Sequence, residues 1–114
     1  RNQVAEYYSK HLSSQFKIPF ILNGYKSSWA QYSLLAESTT IRTDVMNALK
    51  NEDIPSMIYY RLPLHLQKVF EDLKYYRGDF PVTEEVADRI FSLPMHPYLK
   101  TKDQNRILKV LNNV

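Results

Sequence analysis

The residues best suited to chemistry in this chain fall in one stretch, Met57-Ile58-Tyr59-Tyr60-Arg61-Leu62-Pro63-Leu64-His65-Leu66-Gln67. Side chains two apart on a strand share a face. On a strand over 56–62, Met57, Tyr59 and Arg61 would share one face, and Ile58, Tyr60 and Leu62 the other, which reads as core. A phenol both donates and accepts, and a guanidinium offers a fork of N–H donors. Side by side they would clamp a phosphate or sugar hydroxyls. The plainer alternative is an edge tyrosine and a solvated arginine, and the residues alone favour it. His65 follows Pro63 at a strand-to-helix junction, where either a ligand contact or a packing role is expected. His96, between Pro94 and Pro97, reads as structural, and the spacing of His11, His65 and His96 makes no metal site. Glu84, Glu85 and Asp88 read as the solvated face of a helix rather than an acid/base pair. Trp29, Gln31 and Tyr32 could line a groove but read first as core.

Other chemistries are excluded by what is missing. Two isolated glycines make no phosphate-binding loop, and zero cysteines leave no disulfide, thiol nucleophile or zinc-thiolate centre. The formal charge of +3 comes from 15 basic and 12 acidic residues without a basic block, so it permits a phosphate-bearing partner without requiring one. No apolar run approaches the ~20 residues of a membrane-spanning helix, so no membrane partner is expected. A chain of 114 residues is one domain, 1–114, with ~6,500 Å² of folded surface by area scaling. It opens on Arg1 rather than Met, inside a helical pattern, which suggests a piece of a longer protein.

The elements that must position these residues follow from periodicity. Val4, Tyr7, Tyr8, His11 and Leu12 give an amphipathic helix over 3–12. Strands are expected at 28–36 and at 56–62 between Pro55 and Pro63, and Pro19 makes 16–22 an edge strand or a bare extended run. Ser38-Thr39-Thr40 supplies caps for a helix through Ile41, Val45, Ala48 and Leu49. Leu66, Val69, Phe70 and Leu73 give a short helix. Thr83 starts the next one, with Val86, Ala87, Ile90 and Phe91 as its apolar face, and 93–97 is extended or turned. Thr101 and Gln104 fit a capping box ahead of a last helix that buries Ile107, Leu108 and Leu111. The expected fold class is α+β, a small three-stranded, mainly antiparallel sheet with helices on one face.

Three stretches resemble one family. Ser28-Trp29-Ala30-Gln31-Tyr32-Ser33, Tyr59-Tyr60-Arg61-Leu62-Pro63-Leu64-His65-Leu66-Gln67, and Gly78-Asp79-Phe80-Pro81-Val82-Thr83-Glu84 with Ser92-Leu93-Pro94-Met95-His96-Pro97-Tyr98-Leu99 are similar, in order and spacing, to segments of DegT/DnrJ/StrS sugar-nucleotide aminotransferases. The resemblance covers roughly residues 1–112. It implies the small C-terminal domain of a type I pyridoxal-phosphate enzyme, with 1–13 as linking helix, 14–114 as the domain, and the large cofactor domain absent from this chain. It further implies a parent that is a cytoplasmic homodimer and moves an amino group from glutamate to a nucleotide-linked keto-sugar for an amino sugar or surface polysaccharide. Pyridoxal 5'-phosphate is expected in the parent and not on this chain. The Schiff-base lysine lies upstream, no lysine here takes that role, and the fragment is expected to be inactive. The same resemblance sets Tyr59, Tyr60 and Arg61 near the sugar or diphosphate, with His65 second. A non-catalytic regulatory or sensor homologue is the alternative. A small basic nucleic-acid-binding module, with tyrosines stacking on bases, is a third reading, opposed by the scattered basic residues.

Overall fold

The computed structural model describes residues 1–114. Its element order is α1 (Asn2–His11), β1 (Tyr32–Leu35), α2 (Thr39–Asn51), two 3-10 turns (Leu64–Leu66 and Lys68–Leu73), α3 (Pro81–Arg89), β2 (Ile90–Leu93) and α4 (Thr101–Asn112).

Helix α1 turns Val4, Ala5 and Tyr8 inward, one stripe of a 3.6-residue period. It packs on α4, whose buried residues Gln104, Ile107, Leu108 and Leu111 also form one stripe. The Gln104 amide donates to the Val4 carbonyl at 2.9 Å, both groups buried, and so ties the two helices together. This overturns the expected capping box. Lys100 is the N-cap, Thr101 is already helical, and Gln104 faces α1 instead of reaching back to the helix start. Helix α2 begins as expected. Ser38 Oγ accepts the Ile41 N–H at 3.1 Å and satisfies one of the free amides of the first turn.

The sheet has two antiparallel strands, not three. Tyr32 pairs with Leu93, Ser33 with Ser92, Leu34 with Phe91 and Leu35 with Ile90. Tyr32, Leu34, Phe91 and Leu93 thereby share the face that enters the core with residues of α1, α2 and α4. On the other face the Ser33 and Ser92 hydroxyls meet at 2.7 Å. Of the three expected strands, only the one at 28–36 contains a real one. The segments at 16–22 and 56–62 touch the sheet through single bridges, Lys17 with Leu35 and Met57 with Ser92. Pro19, two residues past the first bridge, and Pro55, two residues before the second, lack the N–H that would continue either ladder. The true partner strand lies where a helix and an extended run were expected. Ile90 and Phe91 suit a helix face after Val86 and Ala87, but Arg89 is the last helical residue. Three of the four β2 residues are buried, so no alternation marks the strand in the sequence.

The segment over 66–73 forms 3-10 turns rather than an α-helix. Every residue from Lys68 to Leu73 is exposed, so no core contact rewards the wider helix. Lys74, at φ 57°, ends it.

The core cluster draws on α1, Phe16, β1, α2, Ile54, β2 and α4, and from 57–89 only the partly buried Ile58 packs against it. That region projects from the core, carrying the residues singled out above.

Candidate functional site

Beyond Met57 the chain over 58–62 is not a strand, and the two-residue alternation does not apply. Of the face expected to be core, only Ile58 packs against the core; Tyr60 is 70% exposed and Leu62 45%, whereas Tyr59 of the other face is half-buried. Tyr59 and Arg61 do not form a shared clamp. The two residues line different hollows.

Tyr59 and Tyr60, ring centroids 5.6 Å apart and edge to face, stand at a hollow of about 340 Å³. Leu62, Pro63, Val82 and Val86 supply much of its apolar wall, and Gln67 and Thr83 are its polar side chains. Such a hollow suits an aromatic or sugar ring face, with a few polar groups to orient it. Arg61 faces α2 instead, in a second hollow with Arg42 and Lys50.

His65 lies in neither. Its imidazole is packed edge-on against Phe80 at 4.8 Å between centroids, with Nε2 3.4 Å from Glu84 Oε2. Nε2 is buried and its direction makes no regular hydrogen bond.

Glu84 is the residue that the sequence reading placed wrongly. It is not on a solvated face. Its side chain is 9% exposed and closes the loop ahead of α3. Pro81 is the first helical residue, because its fixed φ and missing N–H suit that position. Glu84 therefore sits one turn inside the helix and reaches back. It accepts the Gly78 N–H on both oxygens, at 2.8 and 3.0 Å, and the Phe80 N–H at 3.1 Å. Arg77 stands 3.9 Å away. The Gly78 amide above all holds the carboxyl below its ordinary pKa; burial, the next largest effect, opposes it, and Phe80 and then His65 add to the lowering. Gly78 has φ 98°, a conformation glycine adopts at no cost, and that turn aims its N–H at the carboxylate. The sequence did carry a signal for this. Pro81 following Gly78-Asp79-Phe80 moves the helix start two residues ahead of Thr83 and sets Glu84 within reach of the loop.

Two other candidates resolve as structure. Tyr32 is fully buried against Tyr8, 5.0 Å between centroids, and Trp29 packs on it at 5.6 Å. His96 is exposed, with Nδ1 accepting the Tyr98 N–H at 3.2 Å.

Among solved structures, an aminotransferase from Brucella abortus superposes with TM-score 0.86 and 41% identity, over 98% of this chain and 29% of that one. S. venezuelae DesV shares the fold at TM-score 0.90 with 20% identity. The fold is thus that of part of a type I aminotransferase. The chain belongs to the DegT/DnrJ/EryC1/StrS aminotransferase family, whose model matches residues 1–112. It is similar to a UDP-N-acetyl-3-dehydro-alpha-D-glucosamine 3-aminotransferase of Acidithiobacillus ferrooxidans, 34% identical over 97% of this chain. It is also similar to a UDP-2-acetamido-2-deoxy-3-oxo-D-glucuronate aminotransferase of Pseudomonas aeruginosa, 33% identical over 99%. A pleiotropic regulatory protein of Geobacillus stearothermophilus is 37% identical over 91 residues. The chain spans 24% to 30% of the lengths of these relatives.

Proposed function

We propose that this chain is the C-terminal small domain of a pyridoxal-phosphate aminotransferase acting on a nucleotide-linked keto-sugar, with glutamate as amino donor, in amino-sugar or surface-polysaccharide synthesis. Residues 1–13 serve as the linking helix, 14–114 as the domain, and the parent works as a cytoplasmic homodimer. The observation that carries the reading is the likeness, over nearly the whole chain, to two aminotransferases named for UDP-sugar substrates.

The residues present do not fit the cofactor. Aldehyde capture needs a lysine held in a shielded pocket, and every lysine of this chain is exposed. No step through the cofactor is assigned to these residues, and the chain alone is expected to be inactive. Its part is recognition. Tyr59 and Tyr60 offer ring faces and phenols to the sugar, Arg61 offers a fork of donors to the diphosphate, and His65 is a positioning residue that acts through Glu84 on the loop beside them.

The regulatory reading is favoured by one observation, the likeness to the Geobacillus stearothermophilus regulator. One experiment separates the two. The visible absorbance spectrum of the full-length protein is recorded with and without glutamate. A cofactor band that shifts on adding glutamate supports the aminotransferase. A colourless protein that pyridoxal phosphate does not reconstitute overturns it and leaves the regulator.

A further inference from the structure

The hollow that takes Arg61 is lined on its α2 side by Arg42, Thr43, Asn47 and Lys50, and on the other by residues of the run 54–61, including Ser56. Positions 43, 47 and 50 are one stripe of α2, separated by four and three residues. The space is about 340 Å³, larger than a diphosphate group needs. Its lining contains three cations and no carboxylate. The ion pairs of the structure are His65–Glu84, Arg77–Glu84 and Arg89–Glu85, so none of these three cations is paired.

Arg42 is the fixed member. It is 7% exposed, and one terminal nitrogen donates to the Ala87 carbonyl at 2.7 Å and the Ile90 carbonyl at 3.2 Å. These bonds hold the guanidinium in place and leave its second terminal nitrogen without a protein acceptor. Burial first, then the charge of Arg61, push the Arg42 pKa below its ordinary value, and Asp88 offsets this in part. The like charges therefore face one another with only Asp88, outside the hollow, as a partial offset at Arg42. A cluster of that kind is favourable when an anion completes it, because each charge-assisted hydrogen bond is stronger than its neutral counterpart.

We propose that Arg42, Lys50 and Arg61, with Asn47 and Ser56 as neutral donors, form a binding site for a phosphate or diphosphate group. Arg42 is pre-positioned, and Lys50 and Arg61 close on the ligand from exposed positions. The site is separate from the Tyr59–Tyr60 hollow. It stands independently of the transamination reading, except that the diphosphate of a nucleotide carrier is one of its two sources, the other being a free phosphate compound.

Calorimetric titration of the protein at low salt, with inorganic pyrophosphate and in parallel with UDP, tests it. Both should bind saturably, more weakly as salt rises. Lys50→Gln and Arg61→Gln should each weaken binding by about tenfold, while Lys102→Gln on α4 changes nothing. Both exchanges lie on the surface and leave the fold intact, unlike loss of Arg42, which would free a buried and a partly buried carbonyl. UDP binding clearly tighter than pyrophosphate assigns the site to a nucleotide-borne diphosphate, and equal binding assigns it to the free anion. Absence of saturable binding by either probe, or binding unchanged in both variants, overturns the proposal. A full-length protein with its cofactor band but no such binding would lose this site and keep the transamination reading.

Discussion

At the scale of single residues, Glu84 governs the most. Its carboxylate collects the Gly78 and Phe80 amides and stands beside His65 and Arg77, so one side chain holds the loop, α3 and the first 3-10 turn together. Its folded pKa is lowered from the ordinary 4.5. A carboxyl with a depressed folded pKa contributes stability above its unfolded value and loses it as pH falls through the folded one. Glu84→Gln should therefore lower the urea midpoint at neutral pH. The gap to wild type should close progressively as pH drops below about 4.5. A gap that is constant with pH would show that the carboxylate charge is not what holds the loop. Tyr8 and Tyr32 titrate at the other extreme. Burial raises both, with the charge of Tyr32 adding to Tyr8 and the Ser9 hydrogen bond opposing at Tyr32. Of the nine tyrosines, these two should ionise last in an ultraviolet phenolate titration. A raised folded pKa here means that stability falls as pH climbs above the unfolded value of 10.0. Tyr8→Phe removes the 2.9 Å bond to the Pro94 carbonyl and should cost about 1–3 kcal/mol by equilibrium unfolding. The residue types of this site were legible in the sequence, but their grouping was not. Strand alternation pairs Tyr59 with Arg61, but the backbone there is not a strand, and Glu84 joins His65 only because α3 begins at Pro81.

At the scale of elements, legibility followed the length of the periodic pattern. α1, α2 and α4 each carry three or more buried residues on one stripe, and all three were readable. Ser38 marked the start of α2 correctly. The strands are four residues each, too short for a period of two to declare itself. Ile90 and Phe91 continue the helical spacing of α3, and only pairing with β1 decides that they are strand. Local preference was overridden by a tertiary contact. The helices should bear the consequences of substitution in proportion to burial. Leu111 is fully buried where α4 meets the core. Leu111→Ala should cost about 2–5 kcal/mol, through lost transfer energy and the cavity left behind. Ser38→Ala should cost about 0.5–2 kcal/mol, because it removes only a cap. Denaturant unfolding of both variants checks the order. A Ser38 variant as damaged as the Leu111 variant would mean that α2, rather than the packing of α4, limits the fold.

For the whole molecule, surface area is the informative quantity. The chain exposes 8148 Å², about a quarter more than the ~6,500 Å² expected of a self-contained protein of its mass. Its radius of gyration is 15.5 Å against the ~13 Å expected for its length. The excess is apolar in two places. The run 18–30 forms no helix or strand and exposes Phe20, Leu22 and Tyr25 at 81%, 60% and 72%. The projecting region around the 3-10 turns exposes Leu64, Val69, Leu73 and Tyr76. Contiguous exposed apolar surface of this extent is normally covered by a partner. On the function proposed above, the parent's large domain is the cover. The 114-residue chain on its own should therefore self-associate. Its apparent mass in size-exclusion chromatography with light scattering should rise with concentration, and it should bind a hydrophobic dye. Joint replacement of Phe20, Leu22 and Tyr25 by serine should suppress both effects with little loss of stability, because these side chains lie outside the core cluster. If that triple variant self-associates undiminished, the sticky surface is the projecting region instead, and the same exchange at Val69 and Leu73 should suppress it. A wild-type chain that stays monomeric at all concentrations and binds no dye would mean that the exposed residues find cover within the chain and that the excess area marks no interface.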